Sequence, residues 1–98
     1  MATFVSLVTW TDQGIRNYKD TTQRAAAFSA ALEKLGGTVL SIYWTVGPYD
    51  LVIVVEAPDD ETATAGLLQV GGGGNVRTVS MRALDADEMR GIIAKAAG

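Results

Sequence analysis

The side chains of this chain that could perform acid–base chemistry are few, because the sequence contains neither histidine nor cysteine. Their absence excludes disulfides, thiolate nucleophiles, most zinc sites and every catalytic triad that needs an imidazole. Proton transfer would fall to Tyr43, Tyr49, Asp50 or Glu56, which lie in or beside predicted strands. The sequence therefore predicts no cofactor and no metal site, and it names no reaction.

Arg82 is the cation that bears most directly on function. It lies in the segment Asn75–Leu84, which is rich in valine, threonine and serine and predicts a strand. A guanidinium on a half-apolar sheet face needs an anionic partner. Two alternatives stay open: a structural ion pair with Asp50 or Glu56, or a ligand whose anionic or carbonyl oxygen binds Arg82.

A ligand at Arg82 would find hydroxyl groups and large aromatic rings on the same predicted sheet face. The hydroxyls could complete the hydrogen bonding, and the rings could pack on an apolar or aromatic ligand. The candidate ligand-binding residues are Ser6, Trp10, Tyr43, Tyr49, Asp50, Thr78 and Arg82. A purely structural interpretation competes with each of them, because aromatic residues are common in cores and aspartate is common in turns.

The elements that must position these residues follow the order β-α-β-β-α-β, with a further helix at the end. Strands are predicted over Thr3–Trp10, Thr38–Val46, Tyr49–Ala57 and Asn75–Leu84. The break after the first strand leaves room for a short helix. The main helices are predicted from Asp20 to the Gly36 stop, from Asp59 to about Val70, and from Asp85 onward.

Helix starts are marked by carboxylates. Asp20 with Gln23, and Asp85 with Glu88, have capping-box spacing. The acidic run Asp59–Glu61 is interpreted as capping the second helix rather than binding a metal. The glycines at 71–74 close a helix, whereas phosphate loops open one, so they predict a helix stop.

This element order predicts an α+β fold, the ferredoxin-like split βαββαβ arrangement with a C-terminal helix, in one domain over residues 1–98. Two helices would cover one face of a four-stranded antiparallel sheet. Alternation predicts which side chains lie under them. That set is Val5, Leu7, Leu40, Ile42, Trp44, Leu51, Ile53, Val55, Val79 and Met81. The opposite set is Phe4, Ser6, Val8, Trp10, Ser41, Tyr43, Thr45, Val52, Val54, Thr78, Ser80 and Arg82.

The opposite set mixes polar residues with large apolar ones that water would not favour. A second sheet is expected to cover it, which predicts a homodimer or higher oligomer with sheets packed face to face. A chain of 98 residues buries only a small core alone, and this strengthens the expectation.

Charge and hydropathy bear on partners and location. The net charge of −3 and the lack of clustered Lys and Arg argue against nucleic acid as a partner. No signal-peptide pattern is found at the amino terminus, and no apolar run has the length of a membrane span. We therefore expect a cytoplasmic protein without membrane partners.

Several stretches together resemble one protein family. They are GPYD at 47–50, followed by LVIVVEAPDDE, then GNVRTVSMRAL, with the early LVTWTDQGIRN and the GG after the first main helix. The chain resembles the GYD-domain family of small bacterial proteins over Thr3 to about Leu84. The resemblance implies a dimeric α/β barrel, and it implies no particular reaction.

A more distant similarity is to the effector-binding domains of leucine-responsive transcription regulators. The matching residues are Gly47, Tyr49, Asp50, Val76 and Thr78. This similarity implies a stand-alone small-molecule-binding module. We expect its pocket to lie between sheet and helices or between sheets, near Trp10, Tyr43, Tyr49 and Arg82. Other dimeric barrels are cofactor-free isomerases or monooxygenases of small aromatic or carbonyl compounds, so that alternative stays open. A structural assembly subunit is the third alternative.

Overall fold

Four strands and four helices follow one another in the predicted order. The computed structural model describes residues 1–98. The strands are β1 (Ala2–Trp10), β2 (Thr38–Trp44), β3 (Leu51–Ala57) and β4 (Val76–Ala83). The helices are α1 (Asp12–Arg16), α2 (Thr21–Lys34), α3 (Asp60–Gly72) and α4 (Ala86–Ala97), with a 3-10 turn at Tyr18–Asp20. The short helix α1 occupies the break after the first strand.

The strands form one antiparallel sheet in the order β2-β3-β1-β4. Helices α2 and α3 pack on one face of this sheet and on each other, and no helix of the chain covers the other face. This is the predicted α+β, ferredoxin-like arrangement. None of the helices combines the length and the apolarity that a bilayer-crossing segment requires.

The strand register corrects the predicted assignment of the two sheet faces. Phe4 pairs with Val55, and Val5 pairs with Val54. Directly paired residues of antiparallel strands point to the same face, so the even-numbered residues of β1 share a face with the odd-numbered residues of β3. The prediction had grouped odd with odd. A one-residue change of register exchanges the faces of a whole strand, and alternation within single strands does not fix that register.

Residues of β1 and β4 were therefore predicted on the wrong faces. The residues that lie on the helix-covered face, against the prediction, are Phe4, Ser6, Val8, Trp10, Thr78, Ser80 and Arg82. The residues that lie on the open face, also against the prediction, are Val5, Leu7, Val79 and Met81. Leu40 is half exposed at a bulge of β2 rather than under the helices.

We define the open face by its apolar side chains, which come from all four strands. They are Val5, Leu7, Tyr43, Val52, Val54, Val79 and Met81. Val79 is 53% exposed and Met81 is 46% exposed. The open face is more apolar than the sequence had predicted, because the serine and threonine side chains of β4 lie on the helix-covered face.

The core lies between the sheet and the helices. Its buried residues are Val8, Leu32, Leu51, Ile53, Val55 and Val76. Leu32 on α2 is the largest side chain that is fully buried. Only 12 of 98 residues are buried, so the monomer alone removes little of its apolar surface from water.

The two predicted capping boxes have different outcomes. At α4 both bonds form: the Glu88 N–H donates to Asp85 Oδ1 at 2.7 Å, and the Asp85 N–H donates to Glu88 Oε1 at 3.2 Å. At α2 the side chain of Asp20 makes no capping bond. Asp20 ends a 3-10 turn with φ −94° and ψ 4°, whereas a capping carboxylate normally extends from β-region backbone.

Helix α4 makes little contact with the rest of its own chain. Every residue from Ala86 to Gly98 is exposed, including Met89, Ile92 and Ile93, which share one side of the helix at i, i+3 and i+4 spacing. The molecule is accordingly elongated, with dimensions of 53 × 31 × 18 Å. The apolar side of α4 and the open face are two surfaces for which the chain itself supplies no cover.

Candidate functional site

A cavity of about 70 Å³ lies between the helix-covered face of the sheet and helices α2 and α3. Nine of its 14 lining residues are apolar, among them Phe28 from α2, Leu67 and Val70 from α3, and Ile53 from β3. The cavity forms because the helices do not close fully over the sheet at this end. A partly open apolar hollow with a few polar groups at its edge is typical of a small-molecule site.

A wider groove of about 270 Å³ lies outside this cavity, between α2 and the end of α3. Arg24, Phe28 and Val70 line both hollows, so the two adjoin at these residues. Arg24 is the only charged residue that lines either hollow. A molecule in the cavity would therefore meet one positive charge at the gap between the helices.

The guanidinium of Arg24 is held by two backbone carbonyls. Nη1 donates to Asn17 O at 2.7 Å, and Nη2 donates to Gly14 O at 3.3 Å. The ion pairs of the chain are Arg82 with Glu88 and Arg90 with Asp87, so Arg24 has no carboxylate partner. Three of the five N–H donors of a guanidinium remain after these two bonds.

Arg24 was not among the residues predicted from the sequence. A signal for it was present, because it lies in the first turns of a helix of 14 residues. The positive end of the helix dipole disfavours a cation there. A cation at this end of the helix is electrostatically unfavourable, and this could have identified Arg24 as a candidate.

Three of the predicted site residues do line the cavity: Ser6, Trp10 and Thr78. Ser6 is buried, and its hydroxyl is hydrogen-bonded to the hydroxyl of Ser80 at 2.7 Å. This bond joins β1 to β4 on the face beneath the helices. It satisfies a buried polar group that would otherwise destabilise the fold.

Asp50 has a structural role beside the cavity. Its Oδ2 accepts the N–H of Trp10 at 2.8 Å, and its own N–H donates to Val8 O at 2.8 Å. These bonds tie the turn before β3 to the end of β1. Tyr49 contributes its carbonyl oxygen to the hydroxyl of Thr45 within the same turn. Neither Asp50 nor Tyr49 lines the cavity.

Tyr43 and Arg82 lie away from the cavity. The Tyr43 side chain is on the open face and is 65% exposed. Arg82 pairs with Phe4 at the far end of β1, where its Nη2 lies 3.3 Å from Glu88 Oε2 and its Nη1 donates to Thr3 O at 3.2 Å. A ligand contact for these two residues stays a prediction.

The ion-pair partner predicted for Arg82 was wrong. Glu56 lies on the open face, on the other side of the sheet from Arg82. Asp50 lies at the opposite end of β1. Glu88 on α4 takes their place, and both side chains of this pair are about two fifths exposed, at 39% and 40%.

We expect Arg82→Met to lower the free energy of unfolding by less than about 1 kcal/mol, because solvent-exposed ion pairs contribute about 0 to 1 kcal/mol. Urea unfolding followed by circular dichroism measures this. Arg77→Met, which removes an exposed arginine with no ion pair, is the matched control. A loss of several kcal/mol for Arg82→Met alone would contradict the exposed pair.

Asp59 caps α3, and Asp60 and Glu61 lie in its first turn, as predicted for a helix start. Asp59 Oδ1 accepts the Thr62 N–H at 2.8 Å. A hydrogen bond with the Thr62 side chain lowers the pKa of Asp59 below its usual value, and the bond with the Thr62 backbone adds a smaller effect in the same direction. The helix cap explains this shift without catalysis. No group of three or more His, Cys, Asp or Glu side chains has an arrangement that could hold a metal ion.

These features define an α+β domain of ferredoxin-like fold, with a small cavity between its sheet and its helices. The chain belongs to the GYD family, because the model of the GYD domain matches residues 4–93. This agrees with the family resemblance of its sequence.

The chain is similar to a curated protein of Thermus thermophilus, the glutamine synthetase and cystathionine beta-lyase binding protein. The two are 33% identical over 90 residues, which cover 91% of this chain and 95% of that protein.

Two solved structures are also similar in fold. A protein of Thermus thermophilus has 27% sequence identity and a TM-score of 0.57, over 88% of this chain and 96% of that one. A feast or famine regulatory protein of M. tuberculosis, solved with L-methionine, has 20% identity and a TM-score of 0.67. The similarity covers 88% of this chain and 52% of the regulator, so the chain spans about half of that protein, and at this identity it indicates the fold alone.

Proposed function

We propose that this protein is a small-molecule-binding module that acts as a homodimer. The observation that supports the binding function is the apolar cavity between the sheet and helices α2 and α3. Arg24, which has no carboxylate partner, lies at its edge. A binding protein needs such a pocket, whereas an enzyme also needs a titratable group within reach of the reacting atoms. No carboxylate or tyrosine lines the cavity, which favours binding over a cofactor-free isomerase or monooxygenase.

The homodimer is supported by the two uncovered surfaces of the chain. The open face presents apolar side chains from all four strands, and α4 presents Met89, Ile92 and Ile93. Contiguous exposed apolar surface of this kind is uncommon in monomeric proteins and marks interaction sites. A second copy related by a two-fold axis would cover both open faces at once, because such an interface uses the same surface twice.

A protein-binding role is the second candidate function. It is favoured by the similarity to the Thermus protein, whose name describes binding to glutamine synthetase and cystathionine beta-lyase. The two functions are compatible, since a module that binds a small molecule can also bind an enzyme. Gel filtration of the protein with each purified enzyme of that organism tests this role, and separate elution from both would count against it.

We expect Ala25→Leu to weaken small-molecule binding, because Ala25 lines the cavity and a larger side chain would occupy part of it. Small aliphatic alcohols such as 3-methylbutan-1-ol are suitable probes, since an engineered apolar cavity of about 150 Å³ in another protein binds benzene. Chemical-shift changes of Ser6, Phe28 and Val70 in NMR titrations report binding. Affinity should fall by about tenfold or more, which corresponds to about 1.4 kcal/mol.

Ala26→Leu is the matched control, because Ala26 is an exposed neighbour on the same helix that does not line the cavity. Ala25→Val adds a smaller side chain and serves if leucine overfills the site. Equal probe affinity in the wild type, Ala25→Leu and Ala25→Val would show that the cavity is not the binding site.

A further inference from the structure

We propose that the cavity binds a small aliphatic carboxylate that lacks an ammonium group, with its carboxylate on Arg24 and its hydrocarbon chain in the cavity. This inference rests on the proposed binding function and names the chemical class of its ligand. The ligand would pass through the gap between α2 and α3, where Arg24, Phe28 and Val70 line both hollows.

The charge on Arg24 points to an anion. The half-buried guanidinium is fixed by neutral carbonyl groups of Gly14 and Asn17, which orient it without neutralising it. Asp20 lies one turn earlier on the chain and forms no ion pair with Arg24. The two carbonyl bonds leave donors available on both terminal nitrogens and on Nε. A carboxylate can accept two parallel hydrogen bonds from these donors. Such a bidentate, charge-assisted pair is stronger than hydrogen bonds to a neutral group.

The surrounding backbone favours the same ligand. Arg24 lies near the amino-terminal end of α2, and the Asp20 side chain does not cap that end. The partial positive charge of a helix start adds to the attraction for an anion, although it also disfavours the arginine while no anion is bound. A bound carboxylate would relieve this repulsion.

The apolar lining and the volume of the cavity determine the size of the ligand's hydrocarbon part. The cavity of about 70 Å³ is bounded by Phe28, Ile53, Leu67 and Val70, and it has roughly half the volume of one that holds benzene, about 150 Å³. Benzene has six carbons, so on this scale the space holds about three, such as the isopropyl end of 3-methylbutanoate, with the methylene group and the carboxylate at the gap.

The absence of acidic residues sets the specificity. No aspartate or glutamate lines the cavity or the groove. The ammonium group of an α-amino acid would lose water there without gaining a carboxylate partner, which disfavours its binding. The site should therefore prefer a simple carboxylic acid over the amino acid with the same side chain.

The first test uses the unmodified protein and three probes of similar shape. These are 3-methylbutanoate, the neutral 3-methylbutanamide and leucine, each titrated at neutral pH with NMR chemical shifts as the readout. We expect the carboxylate to bind about tenfold more tightly than the amide, because charge-assisted hydrogen bonds are about twice as strong as neutral ones. Leucine should bind more weakly than the carboxylate, and added salt should weaken the binding of the carboxylate but not of the amide.

The second test removes the charge. Arg24→Gln should bring the affinity for 3-methylbutanoate down to that for the amide, and Arg24→Lys should restore part of the preference. Arg77→Gln, which removes an exposed arginine from the open face, should leave it unchanged. Because Arg24 also joins α2 to Gly14 and Asn17, circular dichroism must show that each variant is folded.

The outcomes separate this inference from the proposed function. Equal binding of carboxylate and amide, both weakened in Ala25→Leu, would overturn the carboxylate assignment and leave the cavity a binding site. Tighter binding of leucine would overturn the exclusion of ammonium groups. Failure of all probes, including 3-methylbutan-1-ol, to bind would overturn both proposals.

Discussion

Val54→Lys is expected to convert the proposed dimer into a folded monomer. Val54 lies on the central strand β3, between Val5 of β1 and Ser41 of β2, in the middle of the open face. In a dimer with sheets packed face to face, this lysine and its symmetry mate would be buried without anionic partners. A buried unpaired charge destabilises an interface by several kcal/mol.

The dissociation constant of the dimer should rise by at least about a hundredfold, which corresponds to about 2.8 kcal/mol. Light scattering coupled to gel filtration at micromolar concentration measures this. The monomer should keep the far-ultraviolet circular dichroism of its sheet and of α2 and α3, because the open face does not contribute to the core beneath the helices. Gln23→Lys adds the same charge at an exposed position of α2 and should leave the dimer intact. A wild-type protein that is monomeric under these conditions would refute the proposed assembly.

Gly14→Ala is expected to destabilise the protein strongly. A Cβ atom on Gly14 would lie 2.0 Å from Asn75 O, a backbone atom that cannot rotate away. Two hydrogen bonds hold Thr11 against the loop before β4 and make this contact close. Thr11 N donates to Asn75 O at 3.0 Å, and Thr11 Oγ1 donates to Gly74 O at 2.6 Å. Helix α1 would have to move away from the loop before β4, and these bonds would weaken.

We expect the free energy of unfolding to fall by about 3 kcal/mol, at the upper end of typical overpacking effects. Urea unfolding measures it. Gly91→Ala is the matched control, because Gly91 lies inside α4 with nothing within 4 Å of its added Cβ. That variant should gain about 0.5 to 1 kcal/mol, or less if α4 frays, because alanine favours helices over glycine. Equal behaviour of the two variants would mean that α1 does not pack tightly on the loop.

The sequence predicted the elements well because their signals are local. The turn residues at 47–50 and the capping box at Asp85 and Glu88 depend on neighbours along the chain, and the structure contains both features. Strand and helix ends differ from the prediction by a few residues. For example, β3 begins at Leu51 rather than at Tyr49, because Thr45 and Asp50 close the turn between them.

The sequence did not predict which face each strand presents, because that depends on pairing between distant residues. Phe4 and Val5 are both apolar, so the alternation of β1 gave no indication of which of them lies under the helices. The 51-residue separation between Phe4 and its partner Val55 is not constrained by any single turn. Arg24 was missed for the same reason: its importance depends on carbonyl groups at Gly14 and Asn17 and on a gap between two helices.

In the proposed dimer, the isolation of α4 from its own chain would make its order depend on protein concentration. Helices of about 12 to 15 residues are marginally stable in water without tertiary contacts, and α4 has 12 residues, none of them buried. If a second copy supplies its contacts, dilution will melt this segment before it affects the rest of the domain. Unfolding measured at a single concentration would then combine dissociation of the dimer with unfolding of the domain. Its midpoint would depend on protein concentration as well as on the stability of the sheet and its helices.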